Sequence, residues 1–265
     1  IKLNFIKMDS LEKAKNAPCV FNNWANFYKG KFVSNTILNA ILAHEMNEMV
    51  FEINNGKKPL DVIKQFLEEH RRIIFDGDGY SKEWEKEADR RGLPNRKNTV
   101  DAIQHLVDDH NVNMLSNLGV YSKNELNSRY EVLLEGYSKT IRVEALTSLK
   151  MAKNEIYPTV IQYLNTVAST CNELKNASVN NDFIQKDLVE LSQLTSEMRN
   201  KILVLENAIN TFDNCKVNAL DKAKLARDEV VVSMNELRNV VDEIETRVDS
   251  KIWPMPTYVD LLFGI

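Results

Sequence analysis

Between Pro158 and Pro254 this chain has no proline, and between Gly136 and Gly264 it has no glycine, so residues 159–253 form a run of 95 without either. Glycine costs about 1 kcal/mol and proline about 3 kcal/mol in a helix interior, and tight turns depend on both. A run this long without them has few ways to reverse direction often, and long helices are the expected outcome. The apolar pattern agrees. Ile184, Leu188, Leu191, Thr195, Met198, Ile202, Leu205, Ile209 and Phe212 recur at alternating spacings of four and three. Val230, Met234, Leu237, Val241, Ile244 and Val248 repeat the pattern. Each set predicts one seam along one helix. Asp213 and Asn214 are poor helix formers, so the chain is expected to turn within "DNCKVNALDK" and form an antiparallel hairpin; a single longer helix is the alternative.

The remainder reads as shorter helices. Ser34 or Asn35 can cap a helix running to about Ile53, and Leu60, Ile63, Phe66 and Leu67 mark a second. A third is expected from Ser81 to Arg91, stopped by Gly92-Leu93-Pro94, and Thr99 can cap a short fourth. Ser122-Lys123-Asn124-Glu125 has capping-box spacing and opens a long helix, with a kink expected at Pro158. The fold class is therefore all-α: long antiparallel helices, a coiled-coil-like hairpin and a short irregular N-terminal segment.

Several function classes fall to composition. The chain has 265 residues, 43% of them hydrophobic, enough to bury a core. A net charge of −4 and a pI near 5.7 argue against general nucleic-acid binding. No apolar run reaches the ~20 residues of a membrane span. The cysteines, Cys19, Cys171 and Cys215, are far apart and odd in number, which suits a soluble protein of a reducing intracellular compartment. No signal peptide is visible.

The most distinctive short stretch is Asp76-Gly77-Asp78-Gly79. A calcium loop starting at Asp76 would need a ligand where Tyr80 stands and a turn glycine where Ser81 stands, so metal binding is not expected. A phosphate loop lacks its third glycine and its Lys-Ser/Thr. The expected role is a turn made by glycines at positive φ, leading into a helix capped by Ser81. His105 and His110 are five apart and do not share a helix face, and His44 and Glu45 read as the polar face of their helix. No nucleophile signature is present. The residues alone offer no catalytic, cofactor or metal site.

Three blocks, "IIFDGDGYSKEWEKEADRRGLPNRKNTVDAI", "LNSRYEVLLEGYSKTIRVEALTSLKMAKNEIYPTVIQY" and "WPMPTYVDLLF", occur in the order of, and resemble, the C-terminal region of type III glutamine synthetases. "SNTILNAILAHEM" resembles the helix just upstream in that family. The resemblance implies descent from an ATP-dependent glutamate–ammonia ligase, whose metal-binding glutamates lie mostly upstream of the region seen here. One piece of that site is implied within this chain. The family's Asn-Arg-Thr-Ser-Pro-Phe-Ala-Phe, followed by Phe-Glu-Phe-Arg, has its nearest match in residues 14–21 and 26–29. Lys15 and Lys29 then stand where the family has arginines, around Pro18, and the metal-binding glutamate position is Phe27 or Tyr28. Lysine keeps the charge and loses the bidentate fork.

Residues 1–70 are accordingly expected to be a remnant of the catalytic domain's end, and 71–265 the helical C-terminal domain. The expected function is a non-catalytic structural or assembly subunit, with no cofactor and with protein partners. The alternative is the C-terminal piece of an active enzyme whose catalytic part lies upstream or on another chain. Val204, Val231, Val232 and Val240 lie beside or off the seams, and are the candidate partner-facing positions.

Overall fold

The computed structural model describes residues 31–256 and 258–263. Among the described residues every regular element is a helix, so the all-α expectation holds. The helices are α1 (Lys31–Asn54), α2 (Pro59–Glu69), α3 (Lys82–Arg90), α4 (Thr99–Ile103), α5 (Asp109–Asn117), α6 (Lys123–Met151), α7 (Tyr157–Asn176), α8 (Asp182–Asn214), α9 (Ala219–Leu225), α10 (Val231–Glu245) and α11 (Tyr258–Phe263). Contacts divide the chain between Tyr137 and Ser138, within α6.

In the first unit, α1 and α2 form a tight hairpin, and α1 also packs on α5. Ile37, Ala40 and Ile41 of α1 are buried, as are Val100, Ile103, Leu106, Leu115, Leu126 and Leu134 further along the unit. Each of the valine, leucine and isoleucine side chains stabilises the fold by about 1.5–3 kcal/mol relative to exposure, an upper range before chain entropy is counted. The ends of the helices are locally encoded. Ser81 Oγ accepts from Trp84 N at 3.1 Å, the expected cap of α3. Gly92 has φ +67°, and the bonds Gly92 N→Asp89 O (2.9 Å) and Leu93 N→Ala88 O (2.8 Å) close α3 as a Schellman motif. The Ser122–Glu125 capping box forms: the Ser122 backbone N–H and hydroxyl each donate to Glu125 Oε2 at 2.8 Å. These bonds, the backbone one foremost, hold the Glu125 carboxyl below its usual pKa. The cap of α4 is Asn98, one residue before the expected Thr99; its Oδ1 accepts from Asp101 N at 2.9 Å.

In the second unit, α6 passes through a π segment (Ala152–Ile156) directly into α7, so the expected kink at Pro158 takes a specific form. Proline has no N–H, and its ring collides with the carbonyl four residues back, here Asn154. A π turn at that place widens the ladder by one residue and lets the helix continue. The chain turns after Asn214, as Asp213 and Asn214 predicted, and α8 is followed by α9, a second π segment (Ala226–Val230) and α10.

The hairpin of α8 and α10 does not stand alone. α8 packs on both α7 and α10. Arg142 pairs with Asp213, Lys153 with Glu206, and Cys171 Sγ lies 3.6 Å from Ile184 O, so α6–α7 runs antiparallel along the whole of α8. Arg247–Glu190 at 2.6 Å and Lys201–Glu236 at 3.0 Å fix the antiparallel register of α8 and α10. This unit is therefore a three-helix arrangement: the expected hairpin forms, and α6–α7 lies against α8 beside it. The α8 seam buries Leu191, Thr195, Met198, Ile202, Leu205, Ile209 and Phe212 as read from the sequence.

The α10 seam differs by one residue at two of its positions. Ser233, Leu237, Val240 and Ile244 are buried, while Met234 and Val241 are only partly so. Val240 is thus core, and its assignment to an external face is corrected. Valine stands at both 240 and 241, so hydrophobicity alone does not choose between them. Contact with two neighbouring helices does: Ser233 sits inside because its hydroxyl back-bonds to Glu229 O at 2.7 Å, and Met234 Sδ reaches Ser148 Oγ at 4.0 Å.

Candidate functional site

The aspartate–glycine stretch is a turn, but not for the expected reason. Among the described residues the glycines at positive φ are Gly56, Gly92 and Gly119; Gly77 and Gly79 are not among them. The reversal spans Asp78 to Ser81: Ser81 N donates to Asp78 O at 3.1 Å, Ser81 Oγ to the same carbonyl at 2.8 Å, and Tyr80 N to Asp78 Oδ1 at 2.9 Å. The aspartate side chain imitates a backbone turn, so no left-handed residue is needed. Gly77 is required sterically instead. A Cβ there would lie 2.7 Å from the Phe75 ring.

That ring is part of a cluster centred on Arg91. Phe75 stacks on Trp84 with centroids 4.4 Å apart and planes 29° apart. The Arg91 guanidinium lies 5.6 Å from the Trp84 ring and 5.9 Å from Phe75. Its Nη1 donates to Ile74 O at 2.7 Å and Arg72 O at 3.0 Å, and its Nε donates to Glu87 Oε1 at 2.5 Å. Glu87 also takes two 2.7 Å bonds from Arg90. Hydrogen bonds from Arg90, then Arg91, lower the Glu87 pKa to about 2. The cluster ties α3 to the segment ahead of it, with Trp84 only 6% exposed. The sequence carried one legible sign of it, the i, i+4 spacing of Glu87 and Arg91. The two carbonyl bonds, to residues 17 and 19 positions away, had none.

Other charged groups serve the same structural purpose. Bonds from Arg142 hold the Asp213 carboxyl below its usual range, and bonds from Arg247 do so for Glu190. His105 Nδ1 sits 2.8 Å from Asp108 Oδ2, and His110 pairs loosely with His44 at 6.1 Å between rings, so His105 and His110 do not converge. Glu45 is 6% exposed, which corrects its placement on a polar face. Among the described residues no three His, Cys, Asp or Glu side chains gather as metal ligands, and no helix is long and apolar enough to cross a membrane. A groove of about 380 Å³ lies in the second unit, floored by Val167, Ile184 and Leu191 and edged by Tyr163, Asp187 and Arg247.

Of the positions singled out from the sequence, Lys15, Pro18 and Lys29 lie outside the described residues. Val204 and Val232 are 45% and 46% exposed, Val231 is half-buried and Val240 is buried. The ion pairs between α8 and α10 place Val204 level with Ser233, so Val204 and Val232 stand at one height of the bundle.

Fold and site together define a helical domain whose charges staple helices to one another. Residues 59–175 match the glutamine synthetase C-terminal domain family, and residues 2–41 match a YoaP-like family. A glutamine synthetase of Butyrivibrio fibrisolvens is 31% identical over 212 residues, covering 79% of this chain and 30% of the relative. The type-3 glutamine synthetase of Dictyostelium discoideum is 28% identical over 279 residues, covering 96% and 37%. The glutamine synthetase of Bacteroides fragilis is 29% identical over 241 residues, covering 85% and 33%. The chain is a C-terminal region of the glutamine synthetase family. It spans about a third of the length of these curated relatives.

Proposed function

We propose that this chain is a non-catalytic structural and assembly element of the type III glutamine synthetase kind. The observation that carries the reading is the stretch 14–29, where the resemblance sets Lys15 and Lys29 in place of two arginines and Phe27 or Tyr28 in place of a metal-binding glutamate. Phosphoryl transfer relies on fixed cationic forks and metal ions around the transferring group, and single-point lysine charges without the glutamate supply neither. The described arginines support the same reading, since Arg91, Arg142 and Arg247 are bound to carboxylates or carbonyls of their own fold. On this reading residues 1–70 descend from the catalytic domain and 71–265 form the helical domain. The chain needs no cofactor of its own, its partners are proteins and not nucleic acid, and it works in a reducing compartment. Val204 and Val232 are its candidate contacts with a partner subunit.

The test is direct. Purified chain given glutamate, ammonium and Mg-ATP should release no phosphate above background and form no glutamine. Glutamine made by this chain alone refutes the proposal. The second reading, a C-terminal piece of an active ligase, draws on the chain's covering only 30–37% of its relatives. The full-length transcript separates the two, because an upstream segment bearing the family's metal-binding glutamates belongs only to the second.

A further inference from the structure

In the second unit the column of the bundle formed by α10 stops short of the other two. Arg247–Glu190 and Lys201–Glu236 set the register of α8 and α10, and they place Glu245, the last residue of α10, level with Ser192 of α8. Beyond that level α7 runs on to Asn176 and α8 back to Asp182. The α8 seam records the gap. Its positions from Leu191 to Phe212 are buried, but Ile184 and Leu188 are only partly so. In the turn after α10, Val248 is the last buried residue among those described. The groove of about 380 Å³ lies at this end, with Val167, Ile184 and Leu191 as its floor. Phe183, at the start of α8, is 82% exposed.

The next helix along the chain is α11. Its sequence, Tyr-Val-Asp-Leu-Leu-Phe, has Asp260 as its one charged residue. A helix that is hydrophobic on nearly every side belongs in a core, and one this short has too few internal hydrogen bonds to persist in water by itself. Yet Leu261, Leu262 and Phe263 are 67%, 73% and 70% exposed. The sizes match. At 1.5 Å per residue α11 is about 9 Å long, and the uncovered seam from Ile184 to Leu191 spans about 10 Å. The link from Val248 to Tyr258 reaches up to ~33 Å when extended, so it does not restrict where α11 sits.

We propose that α11 is a strap that seats in this groove of its own unit, in the column α10 leaves empty, with Leu261 and Leu262 against the floor of Val167, Ile184 and Leu191. Neighbouring leucines stand about 100° apart on a helix, so both enter a groove between two helices. Seating removes apolar surface of both groove and helix from water, the main favourable term in such packing. The polar edge of the groove, with Tyr163, Asp187 and Arg247, stays at the rim within reach of water. The strap needs no partner and acts whether or not the chain is catalytic.

The experiment traps the contact as a disulfide in the full chain. The background carries Cys19→Ser, Cys171→Ser and Cys215→Ser; serine at 171 keeps a donor for Ile184 O. Under mild oxidation Val167→Cys with Leu262→Cys should close within one chain, because a disulfide forms only where Cα atoms approach to about 4.4–6.8 Å. Asn165→Cys with Leu262→Cys is the control, at the same height but on the exposed, opposite face of α7. The first pair should close at least ~10-fold faster, since a seated helix holds its thiol at a high effective concentration. Equal rates overturn the proposal, and so does a disulfide that joins two chains. If the cysteine variants lose helicity, the otherwise unaltered chain with Leu261→Ser and Leu262→Ser takes their place. Its melting temperature should fall by about 5 °C or more, against about 2 °C or less for Val143→Ser at a 61% exposed position on α6. A leucine pair no more sensitive than Val143 overturns the proposal as well.

Discussion

Arg91→Ala isolates what the cluster ahead of α3 contributes. The guanidinium makes two hydrogen bonds to backbone carbonyls, to Ile74 O at 2.7 Å and Arg72 O at 3.0 Å, and its side chain is 22% exposed. A hydrogen bond from a charged donor contributes about 1.5–3 kcal/mol when well buried, so bonds at this partial exposure contribute about 1 kcal/mol each. Contact with the Trp84 and Phe75 rings adds about 0.5–1 kcal/mol. The loss is then about 2–3 kcal/mol, or about 4–12 °C in melting temperature if the loss is read on the transition of a domain this size. Arg91→Lys keeps a charge but cannot reach two carbonyls and Glu87 in one plane, and should recover less than half. The assay is thermal and urea unfolding followed by Trp84 fluorescence, in a chain carrying Trp24→Phe and Trp253→Phe. A shift below about 0.5 kcal/mol for Arg91→Ala, the range of ordinary surface substitutions, refutes the reasoning.

Glu87 gives the same cluster a pH signature: its folded pKa of about 2 is depressed, so its contribution is fully present above the ordinary carboxylate pKa and is lost as pH falls from about 4.5 through 2. Wild type should lose more stability than Glu87→Gln across that window, and parallel acid titrations of unfolding check it. Val240→Ala should destabilise by about 2 kcal/mol as a buried seam residue, while Val232→Ala at 46% exposure should stay within about 0.5 kcal/mol, both read by urea denaturation. Val204→Glu with Val232→Glu should keep the melting temperature and lose partner association in a native pull-down. Calcium titrated into the chain calorimetrically should give no heat of binding, because Asp78 already accepts from Tyr80 N at 2.9 Å and the loop has Tyr80 and Ser81 where a ligand and a turn glycine are needed.

Much of the fold was open to reading because it is local. The absence of glycine and proline over residues 159–253, the cap at Ser81 and the box at Ser122–Glu125 each act within a few residues of themselves, and each appears where expected. The α8 seam was equally legible, since its alternating spacing of four and three runs from Ile184 to Phe212 without a slip and seven of its nine positions are buried. So was the family, because long blocks of residues carry it. Tertiary contact decided the rest. Two valines stand side by side at 240 and 241, and only the packing of α10 in the folded unit buries Val240. Beside the α8–α10 hairpin, α6–α7 lies against α8, a partner distant in sequence that periodicity cannot name. Arg91 reads as a surface charge on a short helix until Arg72 and Ile74 fold beside it, because a hydrogen bond to a carbonyl 17 or 19 residues away depends on where the backbone goes and not on which side chains it bears.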